Sequence, residues 1–384
     1  MSLYIQLFLF MLLRTVFNTA YRMVYPFLNV FARGLGMELS ALSALVGLRA
    51  FLGIGAPLVS SLADQRGRKF GMLAGIALFG TGMAAVALFP SPLTFGIALL
   101  SGLIGKYLFD PSMQAYLGDR IAYAQRGLAL AVTEVGWSLA FLLGIPLMSW
   151  LIARFGWQAP FPTLFFAAVL MFLTITLLIS DHDPHHHPAD HPWAYFGHVL
   201  RDPPTLAAIS IALWASAANE LVNLIFGVWL EDTFQMQILA LGAASAVIGL
   251  SELSGEGLVA LVTDRIGKPR ALQLGLIGNV LASLALPWLG RTPGGALTGL
   301  FLFYITFEYV MVSHVPLMTE MRPNARATTM AFNLSGHSIG RALGAFLSAW
   351  MYMRWGFQRI TLIAALFNLF ALLALTQVQA SKRV

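Results

Sequence analysis

The heptapeptide Ala-Asp-Gln-Arg-Gly-Arg-Lys, residues 63–69, is a short charged loop between two long apolar runs. A related loop, Thr-Asp-Arg-Ile-Gly-Lys-Pro, follows 200 residues later at residues 263–269. At this offset three pairs match in identity or charge: Asp64 with Asp264, Gly67 with Gly267, and Arg68 with Lys268. A second block keeps the same register through identical residues: Arg126 with Arg326, Gly136 with Gly336, and Trp150 with Trp350. One register held over this length predicts two copies of one half.

The composition is that of an integral membrane protein. Hydrophobic residues make up 58% of the chain and charged residues 10%, whereas soluble domains have about 45–50% and about 25%. Apolar runs near the length of a membrane-spanning helix, without strand-type alternation, predict an all-α fold. The first run lacks a basic n-region and a cleavage site, so we expect it to stay as a helix. The chain has no cysteine, which excludes disulfides and thiol chemistry.

Twelve transmembrane helices are predicted, in two pseudo-symmetric six-helix bundles at residues 1–180 and 205–384. The linker between them, residues 181–204, is rich in His, Asp and Pro and predicts a solvated cytoplasmic loop. A metal site in this tract is the alternative, although no metal is needed to explain it. The spans are 4–32, 39–62, 70–89, 93–117, 127–153, 160–180, 205–230, 237–262, 271–290, 294–318, 327–353 and 359–378.

Lys and Arg are concentrated in the loops that lie on the same side as both chain ends. Cytoplasmic loops carry such an excess, so both termini are expected in the cytoplasm of a multi-pass inner (plasma) membrane protein. The net charge of +6 therefore reflects topology and contact with the lipid bilayer. No nucleic-acid partner is expected, and we expect a monomer.

The two charged loops and the long central linker resemble the major facilitator superfamily over essentially the whole chain. The loop of that family is similar to Gly-x-x-x-Asp-Arg-x-Gly-Arg-Lys, and here Ser60 and Gln65 replace its first glycine and first arginine. Glycine permits a tight turn between helices, and the charges pair with helix ends or with an acid closing the next helix. Asp119 matches that acid. The resemblance and position imply gating roles for Asp64, Gly67, Arg68, Asp119, Glu134, Glu256, Asp264, Gly267 and Lys268.

Two further features of the family are weaker in this chain. The fourth-helix arginine is replaced by Ala98, and the fifth-helix antiporter motif is reduced to Gly144-Ile145-Pro146-Leu147-Met148. The remnant favours export and resembles the drug and metabolite efflux branch.

Formally charged residues within the spans are the main functional signal, because each costs about 2.5 kcal/mol or more at a helix centre. They should face a polar interior, where cations of the first half complement acids of the second. Spacing of three to four residues places Arg14, Asn18 and Arg22 on one stripe and allows Lys106 to pair with Asp110. We predict a substrate cavity lined by Arg14, Asn18, Arg22, Arg49, Lys106, Asp110, Glu220, Asn223, Asn333, His337 and Arg341. Ion pairs that only hold the halves together are the alternative.

The predicted function is secondary active transport of a small organic solute, amphipathic or anionic, by alternating access. Coupling to protons is expected through Glu308, Glu220 and Asp110, with export favoured over uptake. A proton-coupled uptake symporter, a facilitator, and a non-transporting assembly or sensor module are the alternatives. No nucleotide-binding or His-Glu-x-x-His motif is present, so neither a cofactor nor enzymatic activity is expected.

Overall fold

The structure is a computed structural model that describes residues 3–55, 67–121, 123–179, 199, 201–322 and 326–381. The predicted gate residue Asp64 and nearly all of the His-rich linker lie outside these residues. Every regular element in the described ranges is helical. The first eight helices are α1 Leu3–Arg22, α2 Leu28–Leu35, α3 Leu39–Leu52, α4 Arg68–Leu88, α5 Pro92–Arg120, α6 Tyr123–Leu139, α7 Ile145–Phe155 and α8 Pro160–Leu178. The remaining seven are α9 Pro203–Asn223, α10 Phe226–Phe234, α11 Ile238–Ile266, α12 Lys268–Leu289, α13 Pro293–Met321, α14 Arg326–Trp355 and α15 Phe357–Ser381.

Ten of the described helical stretches are long and apolar enough to cross a membrane. The number becomes eleven if α2 and the stretch from Leu39 to Gly55, bent by 113° to each other, form one span. Helix α14 is not among the ten, although it is 30 residues long. Its sequence includes Asn333, His337 and Arg341, which make it more polar than its neighbours.

Helix starts follow from local sequence. Ser91, Asp202 and Thr292 each precede a proline at the first helical position, and each side chain accepts a hydrogen bond from a backbone N–H three residues later. The proline has no N–H to leave unsatisfied, and the cap satisfies one of the free donors of the first turn. These residues therefore determine where α5, α9 and α13 begin.

Four glycines with positive φ show the internal repeat in the backbone. Gly67 and Gly267 have φ of 95° and 86°, and Gly156 and Gly356 have φ of 89° and 75°. Both pairs are related by the same offset of 200 residues. Side chains with a Cβ rarely adopt these angles, so the turns require glycine. The repeat predicted from the charged loops is thus present in the turn geometry.

The chain forms two compact units, which correspond to its two halves except for one segment of each half that belongs to the other unit. The first unit contains Met1–Glu38, Gly55–His187 and Gln237–Gly249, and the second contains Leu39–Ile54, Pro188–Met236 and Leu250–Val384. In the first unit, Ser149 Oγ on α7 donates to the Ile238 carbonyl at 2.6 Å. In the second unit, Ser43 Oγ on α3 donates to the Ala345 carbonyl of α14. Helix α3 therefore packs with the second unit and the start of α11 with the first.

Small residues bring the helices of each unit into backbone contact. In the first unit, a Cβ on Gly75 would lie 2.5 Å from the Gly105 carbonyl oxygen, so α4 and α5 touch. In the second unit, a Cβ on Gly344 would lie 2.8 Å from the Ala217 carbonyl oxygen, and α14 thus lies against α9. Close approach through small residues is typical of helix packing in lipid.

Candidate functional site

The first unit contains a charge cluster, which we define as Arg14, Lys106, Asp110 and Glu134. Arg14 on α1 contacts both acids, with Nε 3.3 Å from Asp110 Oδ1 and Nη1 2.7 Å from Glu134 Oε1. A second bond, from Nη2 to Glu134 Oε2 at 2.9 Å, makes the Glu134 contact bidentate. Lys106 Nζ lies 2.6 Å from Asp110 Oδ2, which confirms the pairing predicted from their spacing. Two cations and two carboxylates thus compensate one another within membrane-spanning helices.

The other residues of the predicted α1 stripe, Asn18 and Arg22, contact α6 and the residues that follow it. Asn18 Oδ1 accepts a hydrogen bond from Lys106 Nζ at 2.7 Å, and its Nδ2 donates to the Gly136 carbonyl at 3.1 Å. Arg22 Nη1 donates to the Trp137 carbonyl at 3.0 Å. The Arg22 guanidinium carbon lies 4.2 Å and 3.5 Å from the ring centroids of Trp137 and Phe141. Asn18 therefore extends the charge cluster, whereas Arg22 is enclosed by aromatic rings.

The second unit has a polar chain between α9 and α13. Tyr304 hydroxyl donates to Asn223 Oδ1 at 2.7 Å, and Asn223 Nδ2 lies 3.5 Å from Glu220 Oε2. All three side chains are buried. Glu308 lies one helical turn beyond Tyr304 on α13 and is also buried. Tyr304 was missed by the sequence analysis, because a tyrosine in an apolar run gives no signal of its own.

The predicted stripe on α14 contacts α9 through a histidine. His337 Nδ1 forms a hydrogen bond of 2.7 Å with Ser216 Oγ, and Asn333 one turn away is buried. His314 on α13 forms a hydrogen bond from Nε2 to the Ala208 carbonyl at 3.0 Å. The other stripe residue, Arg341, is partly buried on α14. Arg49, predicted as a cavity residue, is buried on α3 in this same unit.

Charged pairs lie at helix ends where gating residues were predicted. Arg68 Nε is 3.5 Å from Asp119 Oδ2, the acid that the resemblance assigned to the end of the fourth span. In the second unit Lys268 pairs with Glu320. The sequence did not point to Glu320, because the repeat offset places Thr319 opposite Asp119. The other gate candidates with described side chains behave differently: Glu134 belongs to the charge cluster, and Glu256 is partly buried on α11.

A further pair joins the start of α9 to the end of α13. Arg322 Nη2 lies 2.9 Å from Asp202 Oδ1, and Thr205 also donates to this carboxylate. Burial acts to raise the Asp202 pKa, but the hydrogen bonds from Arg322 and Thr205 outweigh it and hold the pKa below its usual range. The aspartate therefore caps α9 in its charged form.

Metal-binding clusters of three or more His, Asp or Glu side chains are absent from the described part of the chain. The histidines of the linker, for which a metal site was the alternative, lie outside that part.

Comparison with known proteins places this geometry in a family. The model of the Major Facilitator Superfamily matches residues 5–321. The uncharacterized MFS-type transporter YwfA of Bacillus subtilis (strain 168) is 26% identical over 352 residues, covering 89% of this chain and 84% of that protein. Multidrug resistance protein MdtG of Dickeya zeae (strain Ech586) is 24% identical over 376 residues, covering 91% and 88%. A citrate-proton symporter of Klebsiella pneumoniae is 24% identical over 325 residues, covering 76% and 70%.

The solved structure of a bacterial homolog to the human lysosomal transporter Spinster, inward-facing and unoccupied, matches with a TM-score of 0.79. It covers 98% of both chains at 14% identity and so shows the fold. Relatives and structural neighbours are transporters and not enzymes, as predicted. The match of the family model over most of the sequence shows that this chain belongs to the Major Facilitator Superfamily.

Proposed function

We propose that this transporter is a secondary active transporter that moves a small organic solute, amphipathic or anionic, by alternating access. The charge cluster is the observation that carries the proposal. Four charged side chains on α1, α5 and α6 lie within helices whose remaining surface suits lipid. Each charge costs about 2.5 kcal/mol or more at the centre of a membrane-spanning helix. Apolar side chains at these positions would pack the helices together without this cost. A polar binding surface explains why the charges are kept.

Twelve spans in two six-helix bundles remain our proposal for the topology. In this scheme α1 and α2 form one span, broken near Pro26, and α3 begins the next. Helix α14 is then a span of its own, whose polar residues face protein and not lipid. Both termini are placed in the cytoplasm, since the positively charged loops lie on their side. The protein acts as a monomer in this proposal.

The substrate class follows from the groups in the first unit. Arg14 and Lys106 supply positive charge, Asn18 supplies an amide, and Trp137 supplies an aromatic surface beside them. Cations favour an anionic group on the substrate, and the ring favours an apolar part. Export fits the multidrug resistance relative. Uptake is the second candidate, because another relative is a citrate-proton symporter.

Proton coupling is proposed through Glu220 and Glu308 ahead of Asp110. Asp110 lies between Lys106 and Arg14, and two adjacent cations favour its charged form throughout. Glu220 and Glu308 are buried on α9 and α13, and Asn223 Nδ2 lies 3.5 Å from Glu220 Oε2. A buried carboxylate that gains and loses a proton changes the relative free energy of two access states, which coupling requires. No cofactor is involved, and the proton gradient supplies the driving force.

Reconstitution tests the function directly. Purified protein is screened by thermal shift against organic anions and amphipathic drugs, since a ligand stabilises the folded state that binds it. The compound with the largest shift is then loaded into proteoliposomes, and its movement is followed with and without an imposed pH gradient. We expect gradient-dependent movement that is absent from protein-free vesicles. A compound that binds but does not move in either direction would indicate a binding or sensor module.

A further inference from the structure

A π-helical segment interrupts the helix that carries Glu134. It comprises Ala140–Gly144, between α6 and α7, and the Ile145 N–H bonds to the Ala140 carbonyl five residues back. A π segment accommodates one extra residue in an α-helix and occurs frequently at functional sites. It therefore determines how α6 is rotated relative to α7.

Two side chains from α1 bind the backbone just before this segment. Asn18 Nδ2 donates to the Gly136 carbonyl at 3.1 Å, and Arg22 Nη1 donates to the Trp137 carbonyl at 3.0 Å. In a continuous α-helix these carbonyls accept from the N–H groups of residues 140 and 141, where the π segment begins. The amide and the guanidinium thus act at the place where the hydrogen-bond register changes.

The segment is also enclosed on two sides. A Cβ on Gly144 would overlap the Thr19 side chain of α1, and a Cβ on Gly136 would lie 2.7 Å from the Met11 carbonyl oxygen. On the other side, a Cβ on Gly249 of α11 would lie 2.8 Å from the Leu142 nitrogen and 2.9 Å from the carbonyl oxygen of residue 138. Backbone contacts this close leave little space for a change of register while the side chains of α1 keep their hydrogen bonds to this helix.

Arg22 differs from Arg14 in what surrounds it. Its guanidinium is 3.5 Å from the Phe141 ring centroid and 4.2 Å from that of Trp137, and the residue is 3% exposed. Phe141 is itself part of the π segment, so the cation–π contact holds the same turn as the hydrogen bond to Trp137. The guanidinium of Arg22 therefore binds the backbone and rings of this helix, whereas that of Arg14 binds carboxylates.

We propose that Arg22 and Asn18 are positioning residues: they hold the helix in the π register, this register sets Glu134 against Arg14, and transport requires it. The inference rests on the proposed transport function for its last clause only. Removing the extra residue would rotate α6 by about 100° and shift it by about 1.5 Å relative to α7. Glu134 would then leave Arg14, to which it is now bonded at 2.7 Å.

Site-directed spin labelling tests the register without any substrate, because the chain has no native cysteine to remove. Ala131→Cys places a nitroxide on an exposed position of α6, before the π segment, and Leu147→Cys places one on an exposed position of α7. Oxygen and nickel-chelate accessibilities are measured for both labels in three backgrounds: deletion of Leu142, Arg22→Ala and Arg22→Lys. Size-exclusion chromatography selects folded protein.

We expect the label at 131 to change environment in the Leu142 deletion and in Arg22→Ala, while the label at 147 stays the same. Arg22→Lys should retain the wild-type pattern, since lysine keeps a cation and a donor for the Trp137 carbonyl. If the deletion does not fold, Arg22→Ala decides the outcome. Unchanged accessibility at 131 in Arg22→Ala would overturn the proposal.

Transport is a separate readout that uses carboxyfluorescein as an organic anion and ethidium as an amphipathic cation. We expect flux to fall about tenfold or more in the deletion and in Arg22→Ala, and Arg22→Lys to restore most of it. Wild-type flux in the deletion variant would overturn the requirement for the π register. If wild-type protein moves neither probe, the proposed function loses support for these substrate classes, whereas the labels still report on the register.

Discussion

Replacing Asp110 with Asn should destabilise the protein more than replacing Glu134, the other acid of the charge cluster, with Gln. Its side chain is 15% exposed and faces Lys106 at 2.6 Å and Arg14 at 3.3 Å. Removing one partner of a buried ion pair costs about 3–5 kcal/mol. The lower end applies, because Asn18 remains 2.7 Å from Lys106 and Glu134 remains 2.7 Å from Arg14. We expect a loss of about 3 kcal/mol which, at about 2 °C per kcal/mol, lowers Tm by about 6 °C.

Tryptophan fluorescence during heating of the purified protein measures this effect. Glu134→Gln is the matched control, because the Glu134 side chain is 47% exposed and its loss should cost less than about 1 kcal/mol. Combining Asp110→Asn with Lys106→Met removes the uncompensated cation together with its partner, so the double variant should be more stable than Asp110→Asn alone. The electrostatic reasoning is wrong if Asp110→Asn is no worse than the control, or if Lys106→Met restores nothing.

Four further predictions address coupling, the linker, packing and pH. Glu220→Gln and Glu308→Gln should abolish accumulation driven by a pH gradient but keep exchange without a gradient; normal accumulation in both would refute their role. A Gly/Ser linker of equal length in place of residues 181–204 should preserve flux in proteoliposomes, and a metal-dependent loss would support the metal alternative. Gly75→Ala should lower the free energy of unfolding by about 1–3 kcal/mol, and Tm with it, because the added Cβ would lie too close to the backbone of α5. Asp202→Asn should lower Tm at pH 7; the difference should begin to shrink as pH falls below about 4, the usual pKa of an aspartate, and should vanish only below the lower pKa of the folded carboxylate.

Apolar run length and short-range spacing predicted the parts of this structure that depend on neighbours in sequence. The Lys106–Asp110 pair follows from a separation of four residues on one helix, and its 2.6 Å contact confirms it. Arg14 could be placed on a polar stripe for the same reason. Its two acids could not be assigned, because they lie on other helices at 96 and 120 positions along the chain. Periodicity reports which side of a helix is polar but not which helix lies opposite.

Other contacts were missed because the residue type is ambiguous in an apolar helix. A serine hydroxyl in a helix commonly donates to a backbone carbonyl of its own helix. The hydrogen bond of Ser216 to His337 therefore has no sequence signal. The π segment was also invisible, although Pro146 and the reduced antiporter motif mark the same stretch. Helix type in such a stretch depends on bonds from α1, which the local sequence does not encode.

The matched glycines with positive φ relate the positions of the two halves to one another and allow their charged residues to be compared. The same number of residues separates each pair, so every position between them has a counterpart in the other half. At these counterparts two carboxylates within the spans are not duplicated: Asp110 corresponds to Val310, and Glu308 corresponds to Leu108. The turns are constrained by backbone geometry in both copies, whereas each of these two carboxylates belongs to one copy only. Exchanging residues between counterpart positions would therefore add a charged side chain to either half by design, while the backbone turns of both halves stay as they are.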